Sequence, residues 1–194
     1  MGTTNILMAG VGGQGIILAS DVIAKAAARH GFDVKKSDVH GMAQRGGAVT
    51  SHVRFGERVF SPLIPEGEAD ILMASEQLEA LRWLPFLKPG GRIAVNTQRI
   101  FPPTVARGEA PYPDDVLDRL RAVDPNLIAL DCLQIASAAG NAKTATVVLL
   151  GGMAGLLDFP EATWLELIEK EVPAKAREVN LKAFAAGREA AKGK

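Results

Sequence analysis

The chain has 194 residues, of which 47% are apolar, 23% charged and only 5% aromatic. That length holds one well-buried, mainly aliphatic core and leaves little for a second, so residues 1–194 read as a single domain. Twenty-two Lys plus Arg balance twenty-two Asp plus Glu. No long-range field therefore draws the chain to nucleic acid or an anionic membrane, and any anion site must be built locally. The single cysteine, Cys132, excludes an internal disulfide and any zinc or iron–sulfur site held by several thiolates of this chain. The same scarcity fits a reducing cytoplasm, and the opening M-G-T-T-N leads into neither a signal peptide nor a membrane span.

Taken in order, T-N-I-L-M-A at residues 4–9 is a short apolar run that ends on G-V-G-G-Q-G, and a helical pattern follows. Ile16, Ala19, Ile23, Ala26 and Ala27 recur at helical spacing, with Gly31 where a helix C-cap belongs. F-D-V-K-K-S-D-V is a second strand of open register, and A-V-T-S-H-V-R-F a third with one wet face. Gly56-Glu57 predicts a hairpin into R-V-F. Pro62, Pro65 and Gly67 mark a loop before the buried strand A-D-I-L-M-A and a helix over roughly 75–85. Lys88-Pro-Gly-Gly91 predicts a turn into the strand R-I-A-V-N. The proline-rich stretch over 101–113 reads as an extended surface excursion, L-I-A-L as another strand, and the chain from Asp131 as mostly helical, with breaks near Gly140, Pro160 and Pro173. The expected fold is a three-layer α/β domain with a mostly parallel sheet, an inserted hairpin and a helical C-terminal third.

Two segments carry candidate chemistry. Gly10, Gly12, Gly13, Gln14 and Gly15 lie in a G-x-G-x-x-G turn directly after a strand and before a helix. Glycines let such a turn approach a ligand, and the free N–H groups of the helix start favour a phosphate or carboxylate. A dinucleotide would further require an acid about twenty residues on, for which Asp33 or Asp38 is available. The same glycines would equally serve close packing of the helix on its strand. A P-loop is excluded, because Ser137 and Ala142 stand where glycines would be needed before Lys143-Thr144.

The other segment comprises His40, Gly41, Met42, Gln44, Arg45, Gly46 and Gly47. Arg45 offers a planar fork of donors for a carboxylate or phosphate, and the glycines beside it leave backbone N–H groups free to assist. It reads as a substrate, anion or interface loop between two strands. A turn whose Arg pairs with a neighbouring acid is the alternative. His40 and His52 lack a third ligand at metal-binding spacing. No catalytic residue and no metal ligand is assigned.

Four blocks in order, G-V-G-G-Q-G-I-I-L-A, D-V-H-G-M-A-Q-R-G-G-A-V-T-S-H-V-R-F, G-N-A-K-T-A-T-V-V-L-L-G and E-V-N-L-K-A-F-A-A-G, resemble the gamma-type subunit of 2-oxoacid:ferredoxin oxidoreductases. The H-G-M-A-Q-R-G-G form is most similar to the beta subunit of indolepyruvate:ferredoxin oxidoreductase. The resemblance implies a larger partner subunit that carries thiamine diphosphate, magnesium and 4Fe-4S clusters, and a chain here that binds no cofactor alone. It implies oxidative decarboxylation of a 2-oxoacid with coenzyme A, with electrons leaving to ferredoxin. Against it stand a free-standing NAD(P)-binding protein of Rossmann type and a regulatory binding module.

Overall fold

The computed structural model describes residues 2–40 and 47–192. Six strands form one sheet: β1 (Thr4–Val11), β2 (Asp33–His40), β3 (Ala48–Gly56), β4 (Ala69–Ala74), β5 (Leu87–Asn96) and β6 (Ile128–Leu130). Their order across the sheet is β2-β3-β1-β4-β5-β6. β1, β4, β5 and β6 pair in parallel, and β3 runs antiparallel to both β1 and β2. β1 is buried on both faces, as a central strand of a sheet covered on both sides must be, which explains its unbroken apolar run.

Helices close both faces. On one, α1 (Ile16–Arg29), α5 (Cys132–Ala139), α6 (Ala145–Met153), α7 (Glu161–Glu171) and α8 (Arg177–Ala191) pack against Ile6, Met8, Val53, Ile71 and Met73. On the other, α2 (Gln77–Trp83) and α4 (Val116–Val123) cover Leu7, Leu72, Ile93 and Val95; the one-turn α3 (Pro103–Ala106) precedes α4. The three layers and the helical C-terminal third match the expected architecture. α6 is apolar all round because it lies between the sheet and α8, with seven consecutive buried residues from Val147 to Met153. Its crossing with α8 is so close that a Cβ on Gly187 would stand 1.9 Å from the Val148 carbonyl oxygen.

Several local expectations change. The hairpin is β2–β3, and Glu57–Phe60 forms no strand. Gly56 ends β3, after which the chain is captured by side chains of the sheet. Asp33 accepts from Val59 N–H at 2.8 Å, Arg54 donates to the carbonyls of Ser61 (3.3 Å) and Leu63 (2.7 Å), and His52 Nδ1 accepts from Ile64 N–H at 3.2 Å. Pro62 and Pro65 could not donate to a ladder there in any case. Lys88–Gly91 does not turn the chain either. It lies inside β5, whose pairing with β4 shifts register between Ala69 and Ile71 while Gly90 takes φ +74°. The 101–113 stretch is anchored, since the buried Tyr112 donates to Glu76 at 2.5 Å.

Candidate functional site

The parallel strands β1, β4 and β5 end side by side, and their ends are sewn together by polar side chains. Within the glycine turn, Gln14 Oε1 accepts from Val11 N–H at 2.7 Å and Gln14 Nε2 donates to the Ser75 carbonyl at 3.0 Å. Asn96 Nδ2 reaches that carbonyl from β5 at 3.2 Å, while Asn96 Oδ1 accepts from the Cys132 N–H at 3.1 Å. Thr146, at the start of α6, donates to the Gln14 carbonyl, and its hydroxyl lies 3.4 Å from that of Ser75. Ser75, Asn96 and Thr146 are all buried, so each bond is made in a medium where leaving it unmade would be costly. Gln14 is therefore a brace of the turn. A side chain at Gly10 would strike it, with Cβ 2.9 Å from Gln14 Oε1.

The braced turn leaves the start of α1 open. Gly15 caps α1 at φ 84°, ψ 22°, a left-handed conformation that costs other residues about 1–2 kcal/mol. α1 has no side-chain cap and no acid in its first turn, whereas α6 continues a 3-10 turn, Ala142–Thr144, that Asn141 caps by accepting from the Lys143 N–H at 3.0 Å. The start of α1 adjoins the turn, where its N–H groups and dipole supply partial positive charge. Two recesses open there. One, of about 430 Å³, is lined by Val11, Gly12, Gly13, Gly15, Ile16, Ile17, His40 and Val49. The other, of about 190 Å³, is lined among others by Gly13, Gln14, Asn96, Gln98, Lys143 and Thr146. Among the described residues no carboxylate lines either, and Lys143 adds a full charge beside α6. The arrangement suits an anion.

The two sequence segments meet at this mouth. Gly12 N–H donates to the Gly47 carbonyl at 2.8 Å, and His40, at the other end of the segment, lines the larger recess. Gly41, Met42, Gln44, Arg45 and Gly46 lie outside the described residues. His40 and His52 do not come together. His40 pairs with Val49 and His52 with Ser37, so alternation along the strands places the two imidazoles on opposite faces of the sheet. His52 is buried against the Ile64 N–H, and burial, assisted by Arg54, holds its pKa below the ordinary histidine value.

The acids a dinucleotide would need are misplaced and engaged. β3 separates β2 from β1, which moves Asp38 two strand spacings, ~10 Å, from the glycine turn's own strand. Asp38 accepts from Ser51 Oγ at 2.6 Å and Lys36 Nζ at 2.8 Å, and Asp33 from Lys35 Nζ at 2.6 Å. Hydrogen bonding to Lys35, then to the Val59 N–H, holds the Asp33 carboxyl below its usual pKa. Cys132 is buried at the start of α5. Among the described residues no group of three His, Cys, Asp or Glu is placed to hold a metal ion, and no helix is long and apolar enough to cross a membrane. Ser75, Asn96, Thr146 and Lys143 were not identifiable as site residues from local pattern, because Thr146 and Gln14 are 132 positions apart.

Fold and mouth together define an α/β domain whose glycine turn and two recesses lie at the carboxyl ends of its parallel strands. The chain belongs to the pyruvate ferredoxin/flavodoxin oxidoreductase family, whose model matches residues 5–190. It is 42% identical over 187 residues to the indolepyruvate oxidoreductase subunit IorB of Archaeoglobus fulgidus, covering 94% of this chain and 92% of that one. To the IorB subunit of Thermococcus kodakarensis it is 41% identical over 195 residues, covering 97% and 96%. Among solved structures it superposes on the gamma subunit of the keto/oxoacid ferredoxin oxidoreductase of Geobacter sulfurreducens with a TM-score of 0.71 at 27% identity, covering 97% of this chain and 98% of the other.

Proposed function

We propose that this chain is the smaller subunit of a cytoplasmic indolepyruvate or arylpyruvate:ferredoxin oxidoreductase. In that enzyme the oxoacid loses carbon dioxide, its acyl carbon is captured by the thiol of coenzyme A, and the electron pair released passes to ferredoxin. Thiamine diphosphate, magnesium and the 4Fe-4S clusters belong to the larger partner subunit. A lone, buried cysteine in this chain is consistent with that division, since one thiolate cannot hold a four-iron cluster. The chain is inactive alone and meets ferredoxin only through the assembled enzyme. The observation that carries the reading is about 40% identity to IorB subunits over almost the whole of both chains.

Within the assembly, this chain supplies an anion-holding wall at the subunit boundary. Arg45, with the N–H groups of Gly46 and Gly47, binds a carboxylate of the oxoacid or a phosphate of coenzyme A. Its support is the anchoring of both ends of its segment at the mouth, by the Gly12–Gly47 bond and by His40 beside the open start of α1. The test is Arg45→Ala in the two-subunit enzyme. Loss of a charge-assisted pair of bonds raises the KM of one of the two substrates by roughly 10- to 100-fold, with assembly intact. An unchanged KM for both removes Arg45 from the site.

A further inference from the structure

β2 ends the sheet on one side, and it is the least covered of the long strands. None of its eight residues is buried, whereas the neighbouring β3 is buried at seven of nine. Among the described residues, one whole edge of N–H and C=O groups, ~27 Å long, is left without a strand partner. Val39, on that strand, is 50% exposed. An edge of this length and composition is a template for another strand, and its own sequence says which strand fits.

Two copies can join antiparallel along one edge only about a two-fold axis normal to the sheet. Like faces then meet, so residues opposite one another have numbers of equal parity. An axis through Lys36 sets Lys36 against its own copy, and one through Asp38 sets Asp38 against its own. The axis through Ser37 instead places Lys36 opposite Asp38 twice, Val34 opposite His40 twice, Lys35 opposite Val39 twice, and two small hydroxyls at the centre. Every charge of Lys36-Ser37-Asp38 then meets its opposite. Within one copy Lys36 Nζ already donates to Asp21 at 2.6 Å and Asp38 at 2.8 Å, which leaves the third ammonium hydrogen for the partner copy. On the other face the exposed Val39 is covered by the aliphatic stem of Lys35.

We propose that two copies of this chain associate along Asp33–His40, with Ser37 on the two-fold axis, into one continuous twelve-stranded sheet, six strands from each copy. The proposal stands independently of the oxidoreductase reading. Paired Cα atoms in such a ladder lie about 4.5–5.5 Å apart, inside the range a disulfide spans. Ser37→Cys therefore cross-links to its own copy under mild oxidation. The native Cys132 is buried and does not compete. Val39→Cys is the control, because its own copy lies four residues further along the ladder, ~13 Å away.

The experiment uses the full chain, alone and co-expressed with the larger subunit. Ser37→Cys is expected to run without reductant at twice the 20.5 kDa chain mass, while Val39→Cys stays single. Lys36→Asp and Asp38→Lys each shift the unlinked chain to monomer by light scattering, and the double exchange restores the dimer. If the thiol introduced by Ser37→Cys stays free in both preparations, or Val39→Cys links as readily, the proposal is overturned.

Discussion

At the glycine turn, a Cβ added to Gly13 would meet nothing within 4 Å, and one added to Gly15 would only touch Thr146 at 3.8 Å. At the α6–α8 crossing, by contrast, a Cβ on Gly151 would fall 2.1 Å from the Phe184 carbonyl oxygen, and one on Gly187 1.9 Å from that of Val148. The turn glycines are required by backbone angle, with φ +98° at Gly13 and +84° at Gly15, and the space beside them is open to a ligand. The crossing glycines are required because two helix backbones touch. Sequence spacing marks the turn as a motif, whereas the crossing reads as ordinary helix. The cost of altering each follows the opposite order, since contact is less forgiving than conformation.

Gly187→Ala breaks the crossing and has the largest expected effect, a loss of at least about 3 kcal/mol from overpacking against backbone that cannot yield. Thermal or urea unfolding measures it. Gly15→Ala comes next, at about 1–2 kcal/mol, because only the left-handed backbone resists the methyl group. If Gly15→Ala proved as damaging as Gly187→Ala, the mouth would be packed and not open, and the anion site would lose its room. Gly155→Ala, where a Cβ has open space, should change stability by no more than ~0.5 kcal/mol in the same experiment.

The glycine turn, its strand and its helix were legible because their determinants are local. A strand period, three spaced glycines and an apolar stripe from Ile16 to Ala27 all fall within two dozen residues. The β2–β3 pairing was harder to see. Gly56-Glu57 is a fair local turn signal, but the segment after it is claimed by Asp33, His52 and Arg54, all at a distance in sequence. Tyr112 likewise sits in a proline-rich stretch that reads as surface, and its bonds to Glu76 and to the Leu78 N–H reveal it as an anchor. At the site, Gln14 carries the plainest lesson. It lies in the candidate glycine turn, yet its amide is consumed by Val11 and Ser75. The groups that flank the two recesses, Lys143 and the uncapped start of α1, are brought together only by the fold.

The central claim is that this chain completes an oxoacid oxidoreductase whose cofactors lie elsewhere. The direct measurement is anaerobic reconstitution of the full chain with the larger subunit, followed by indolepyruvate- and coenzyme A-dependent reduction of ferredoxin. The account predicts a stable complex, with reduction seen only when both chains are present. A larger subunit that turns over equally well without this chain, or a mixture that neither associates nor reduces ferredoxin with any arylpyruvate, would contradict it.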